Sequence, residues 1–234
     1  MLIVPNLVFP LFMLAVLSAN GDQVTKVKGF PTNSYITFML GATLVQGAAS
    51  ASTMAGNALG NDIETGFLSR LALTPVRGWA LIVAQLAGVA VLGVGQTALY
   101  LSAGLAGGAS VKAGVGGALV LFAVVLLMIL AFGAIGLFVA LRTGSAQQVQ
   151  SLFAVVLGLL FMSSMVMPRN LIDADWFKTI ATYNPMSYLI EAPRSLLVSG
   201  WDGQALALGC GFSAAALVVA LTVAIATLRG RLRT

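Results

Sequence analysis

The chain has 234 residues, of which 59% are hydrophobic and only 8% charged, with a formal net charge of +5 and a mean hydropathy of +0.99. A water-soluble domain carries about a quarter charged residues, so this composition excludes a soluble globular protein and requires lipid to cover the outside. With no histidine and one cysteine, Cys210, neither a zinc site nor an intrachain disulfide can be assembled.

Uncharged windows run over residues 1–21, 29–61, 78–111, 113–141, 143–168 and 203–228. Each reaches the roughly 20 residues that a helix needs to cross about 30 Å of hydrocarbon. Backbone groups in lipid must be paired internally, which leaves helices or closed barrels. The windows are continuously apolar and lack the alternation of barrel strands. They predict an all-α polytopic membrane protein, one transmembrane domain over residues 1–234, with six spans at about 2–18, 35–60, 79–106, 115–141, 147–167 and 205–228.

The first window, apolar from Leu2 to Leu17, lacks the basic leader and small-residue cleavage pattern of a secretory signal, and is read as a span. Nothing polar precedes it, which fits an upstream start codon or a truncated chain. Span two places Ala48, Ser52, Gly56 and Gly60 at four-residue steps. Such a small-residue stripe lets helices approach closely, either within the chain or across a dimer seam. The polar groups inside the spans are neutral: Gln46, Asn57, Gln85, Gln96 and Thr97. They are candidates for a path suited to an amphipathic or lipid-like molecule, or for helix packing. The lack of intramembrane charge argues against a proton-coupled secondary transporter.

Between spans two and three the chain reads Asn61 to Gly78, NDIETGFLSRLALTPVRG. Asn61 is expected to cap a short helix over about 62–74, with Asp62 and Glu64 in its first turn and Glu64 placed as in a capping box. Pro75 stops it, and Ile63, Phe67 and Leu71 form an apolar stripe with Arg70 off it. So short a helix needs a partner, either the membrane surface or a groove on a cytoplasmic motor. The acidic first turn favours the motor, because anionic lipid repels it.

A second unusual segment covers about 168–204. Pro168 closes span five, Asp173 to Lys178 suggest an amphipathic turn, Asn184-Pro185 breaks it, and Tyr188 to Val198 is again mostly apolar. Two short helices are expected here, dipping into or lying on the outer leaflet, anchored by Trp176, Tyr183, Tyr188 and Trp201. Glu191 and Arg194 are placed to pair on one helical face.

Loop charges divide evenly between the two sides. Arg70, Arg77, Arg142, Arg229, Arg231 and Arg233 face Lys26, Lys28, Lys112, Arg169, Lys178 and Arg194. The first set sits in shorter segments, and the triplet Arg229, Arg231 and Arg233 abuts the last span, so both termini are placed in the cytoplasm. The positive balance then meets anionic headgroups. No aromatic-interleaved basic run supports a nucleic-acid partner. Cys210 lies in the last span as a small hydrophobe.

No lysine follows a glycine, so the chain has no phosphate-binding Gly-Lys-Ser/Thr loop. The Gly93–Ala98 match to a dinucleotide fingerprint lies inside a span with no strand before it.

The inner segment, Asn61-Asp62-Ile63-Glu64-Thr65-Gly66 followed by Leu71-Ala72-Leu73-Thr74-Pro75-Val76, resembles the coupling-helix signature of type-two ATP-binding-cassette (ABC) export permeases. Met162-Ser163-Ser164, a proline, Tyr183-Asn184-Pro185, Tyr188 and Arg194 resemble that family's extracellular re-entrant region before the last span. The likeness covers nearly the whole chain and is strongest to the small permeases paired with daunorubicin-type multidrug-resistance ATPases. One departure is the opening at Met1 directly in apolar sequence, where family members usually carry a cytoplasmic elbow helix. The resemblance implies a multi-pass plasma-membrane permease of an ATP-driven exporter, not itself an enzyme. It pairs with a second copy or a related permease and a cytoplasmic ABC ATPase, which holds the ATP and magnesium. It assigns coupling to Asp62, Glu64, Phe67, Arg70, Leu71, Thr74 and Pro75, and the re-entrant region to Tyr183, Asn184, Pro185, Glu191 and Arg194. The competing reading is a membrane scaffold whose inner helix recruits a non-motor partner. An intramembrane enzyme would want carboxylates at membrane depth, and here they all lie in loops.

Overall fold

The computed structural model describes residues 3–19, 21–66 and 78–231, and among them there is no strand. The elements are α1 (Ile3–Ala19), the single turn α2 (Asp22–Thr25), α3 (Tyr35–Glu64), α4 (Gly78–Ala106), α5 (Gly114–Thr143), α6 (Ala146–Phe161), a 3₁₀ turn (Arg169–Leu171), α7 (Asp175–Tyr183), α8 (Pro185–Val198) and α9 (Gly203–Arg231). Residues 79–106, 114–143 and 203–230, within α4, α5 and α9, are both long and apolar enough to cross a membrane; Leu7–Ala19 and α6 are apolar but shorter. The protein is an all-helical, multi-pass membrane protein.

The hub is α3, which packs against α1, α4, α5, α6 and α8. It is less apolar than α1, α4, α5 and α6 because glycine, alanine, serine and threonine supply much of its surface. Small side chains let five helices close on one. Its hydroxyls fold back onto their own helix, as in Thr43 Oγ1 to Met39 O at 3.1 Å, Ser52 Oγ to Ala49 O at 2.8 Å and Thr53 Oγ1 to Ser50 O at 2.7 Å, so the buried face presents methyls and methylenes. The stripe of Ala48, Ser52, Gly56 and Gly60 is consumed by this packing. A Cβ on Gly56 would meet Val149 and the Gly136 carbonyl, and one on Gly60 would meet the Ala146 backbone.

The helices run between two ends, named here for the termini of α3. At the Tyr35 end, Ser34 caps α3 by accepting from Thr37 N at 3.4 Å, and Asp202 Oδ1 caps α9 through Gln204 N and Ala205 N. At the Glu64 end, α5 stops at Gly144, whose φ of 72° gives a left-handed cap that glycine adopts without penalty, and α6 turns straight back.

Two expectations are corrected. Asn61 does not cap a new helix: α3 continues through it to Glu64, and Thr65 N bonds Asn61 O at 2.9 Å. Nothing between Gly60 and Glu64 breaks the helix, and the stop comes at Gly66, with φ of 68°. Asp62 and Glu64 therefore lie in a last turn. In the window expected at 147–167, the helix ends at Phe161 and the chain reaches Pro168 through turns.

Candidate functional site

The polar side chains gather in three places: the Glu64 end, a seam between α1, α3 and α4, and the Tyr35 end. At the Glu64 end, a carboxylate in a last turn opposes the helix dipole, yet Glu64 reaches a position where it is favourable. Its Oε1 accepts from Ala146 N at 3.0 Å, at the first residue of α6. The preceding Ser145 makes no side-chain cap, so Glu64 caps α6 from another helix. Gln85 of α4 and Gln150 of α6 meet Asp62 and Asn57 at 3.5 Å, the outer limit of a hydrogen bond. Three helices are thus joined at the acidic tip of α3. Phe67, Arg70, Leu71, Thr74 and Pro75 lie outside the described residues.

In the seam, Gln96 Nε2 donates to Tyr100 Oη at 2.8 Å and lies 3.4 Å from both Gly47 O and Ser50 Oγ. Tyr100 donates in turn to Leu7 O of α1 at 3.0 Å. A cavity of about 270 Å³ opens beside Gln96, lined also by Leu7, Ser50 and Met54. The four amides expected to line one path do not converge. Gln96 lines the cavity, whereas Asn57 and Gln85 belong to the Glu64 end. Gln46 is 1% exposed and lines no part of this cavity, and neither its Oε1 nor its Nε2 has a partner among the described residues. Tyr100 was missed from sequence. Its position four residues after Gln96, one helical turn on, is the signal that could have found it.

At the Tyr35 end, α7 and α8 form a hairpin whose turn lies deep in the fold. Asn184 Nδ2 donates to Leu159 O at 2.7 Å and its Oδ1 caps Met186 N at 2.9 Å, so the turn's polar groups are paired where the surroundings are apolar. Pro185 and Met186 share a second cavity with Met128, Phe132 and Phe212. All but three residues of α8 are buried, whereas α7 buries only Ala181. Trp176, Tyr183 and Trp201 are exposed, and Tyr188 stacks on Phe212.

The expected Glu191–Arg194 pair is corrected here. Glu191 instead takes Arg169 in a two-pronged bridge, Nε to Oε1 at 2.8 Å and Nη2 to Oε2, with the Arg169 guanidinium over the Tyr188 ring. Partial burial lowers the Arg169 pKa, but the Glu191 carboxylate and Tyr188 phenol outweigh it and hold the group above its ordinary value. Arg194 is buried and donates to three backbone carbonyls, Phe38 O at 3.2 Å, Ser164 O at 2.8 Å and Met165 O at 2.9 Å, with Phe38 stacked beneath it. Helical neighbours at i and i+3 can meet, but both side chains found better-placed partners. Because the Arg169–Glu191 bridge is partly exposed, Arg169→Gln is expected to lower stability by only about 1 kcal/mol or less, read as a small drop in unfolding midpoint.

A multi-pass helical membrane protein with a helical hairpin whose turn is buried in the fold and an acidic helix tip is the class these features define. The chain belongs to the ABC-2 type transporter family, whose model matches residues 1–198. No curated protein matches the chain.

Proposed function

We propose that this chain is the permease subunit of an ATP-driven exporter, moving an amphipathic, drug-like or lipid-like molecule out of the cytoplasm while a separate ABC ATPase hydrolyses ATP with magnesium. Membership of the ABC-2 type transporter family supports the transporter class. One observation carries the coupling: the Glu64 carboxylate that ends α3 also begins α6. A motor docked on the segment after Glu64 would therefore push two helices at once. In this reading the Glu64 end faces the cytoplasm with both termini, the hairpin of α7 and α8 lies on the outer side of the plasma membrane, and a second copy or related permease completes the pathway. The small-residue stripe of α3 is already occupied within the chain, so the pair forms through another face.

An exposed charge at a helix terminus contributes about 0.3–1 kcal/mol. Glu64→Ala is accordingly expected to reduce substrate-stimulated ATP hydrolysis in proteoliposomes roughly two- to fivefold at unchanged permease abundance. Glu64→Gln, which keeps the acceptor oxygen, should recover part of it. Full stimulation in the alanine variant would exclude Glu64 from coupling.

A further inference from the structure

We infer that the cavity between α1, α3 and α4 is a binding site for molecules with an apolar body and one hydroxyl or N–H donor, which Gln96 Oε1 accepts. This deepens the exporter reading, and rests on it for describing the ligand as substrate. Leu7, Met54, Val91, Leu92 and Leu99 surround Gln96. Val91 is 73% exposed, so the cavity opens sideways onto the apolar flank of the molecule. Its volume of about 270 Å³ falls just below the roughly 300–1,000 Å³ of drug-sized pockets. That suits one ring with a short alkyl chain, or that much of a larger ligand.

The orientation of the Gln96 amide is fixed by its neighbours. Gly47 O can only accept. Ser50 Oγ donates to Gly47 O at 2.6 Å and Tyr100 Oη donates to Leu7 O, so both offer Gln96 an acceptor. All three contacts therefore require the NH₂ group, and Oε1 is turned away from them. Among the described residues Oε1 accepts no hydrogen bond. An unmade bond in apolar surroundings is unfavourable, and a ligand donor in the cavity would complete it.

The test uses the whole chain in phospholipid nanodiscs without any ATPase, so its outcome does not depend on whether a motor couples to the protein. Saturable binding of 4-heptylphenol, measured above protein-free nanodiscs, is compared with that of 4-heptylanisole, which has the same body and no donor. The phenol is expected to bind roughly five- to tenfold more tightly, the ratio one neutral hydrogen bond confers. Gln96→Leu should erase that preference while keeping the anisole affinity. Gly95 lines the cavity, and a Cβ there meets nothing within 4 Å. Gly95→Leu should thus fill the space without disturbing the fold and abolish binding of both compounds. Equal affinities in the unmodified chain, a preference that survives in Gln96→Leu, binding unaffected by Gly95→Leu, or no binding above lipid would each overturn the proposal.

Discussion

Arg194→Met is expected to destabilise the protein by about 2–5 kcal/mol, because it removes the donor from buried carbonyls while keeping much of the side-chain volume. Ser164 and Met165 lie where the chain leaves α6 in turns, so their carbonyls have no helical partner to fall back on. Each buried carbonyl left unpaired costs about 1–3 kcal/mol. Phe38 O lies within α3, and there the loss is chiefly the stacking of the guanidinium on the Phe38 ring. The same cation joins α3, α8 and the chain after α6, so its removal should loosen the Tyr35 end as a unit. Arg194→Lys should recover only part, because an ammonium lacks the planar fork that reaches several carbonyls and lies flat on a ring. Thermal unfolding followed by tryptophan fluorescence checks this. Of the three tryptophans, Trp176 lies in α7 and Trp201 just after α8. Equal midpoints for Arg194→Met and the unmodified chain would mean that these carbonyls find other donors.

The contrast between this residue and its neighbours marks what could be read from sequence. The apolar windows between charges located α4, α5 and α9 because length and hydropathy are local quantities. Asn61 misled because capping potential is also local, whereas helix continuation depends on the absence of a breaker before Gly66. Arg194 and Glu191 were legible as unusual charges near the membrane, but their partners lie 22 to 156 residues away in the chain. No periodicity could pair them. The same holds for Glu64, whose acidity was visible while its bond to the start of α6 depended on how closely α3 and α6 pack at Gly60. Gln96 was visible as a polar group in a span, but not the Tyr100 and Leu7 partners that fix its amide.

The small-residue stripe leads to the second large effect. Gly136→Ala is expected to destabilise the protein by about 1–3 kcal/mol or more, although alanine is the better helix former. A Cβ on Gly136 would stand 2.0 Å from the Ser52 carbonyl oxygen and 2.8 Å from Ser52 Cα. These atoms are backbone and cannot rotate aside. Relief therefore requires α3 and α5 to separate by more than an ångström, and this is the most extensive helix pair among the described residues. Such a separation would weaken the dispersion contacts around Leu137, Ala140 and Met128, all fully buried, because van der Waals attraction falls steeply over that distance. Gly158→Ala is the matched control. A Cβ at Gly158 meets nothing within 4 Å, and the substitution should be neutral or stabilise by up to about 1 kcal/mol. Unfolding of both variants in mixed micelles with increasing SDS should place their midpoints on opposite sides of the unmodified protein. If Gly136→Ala tracked Gly158→Ala instead, the backbone contact between α3 and α5 would be wrong, and with it the reason α3 can serve five neighbours.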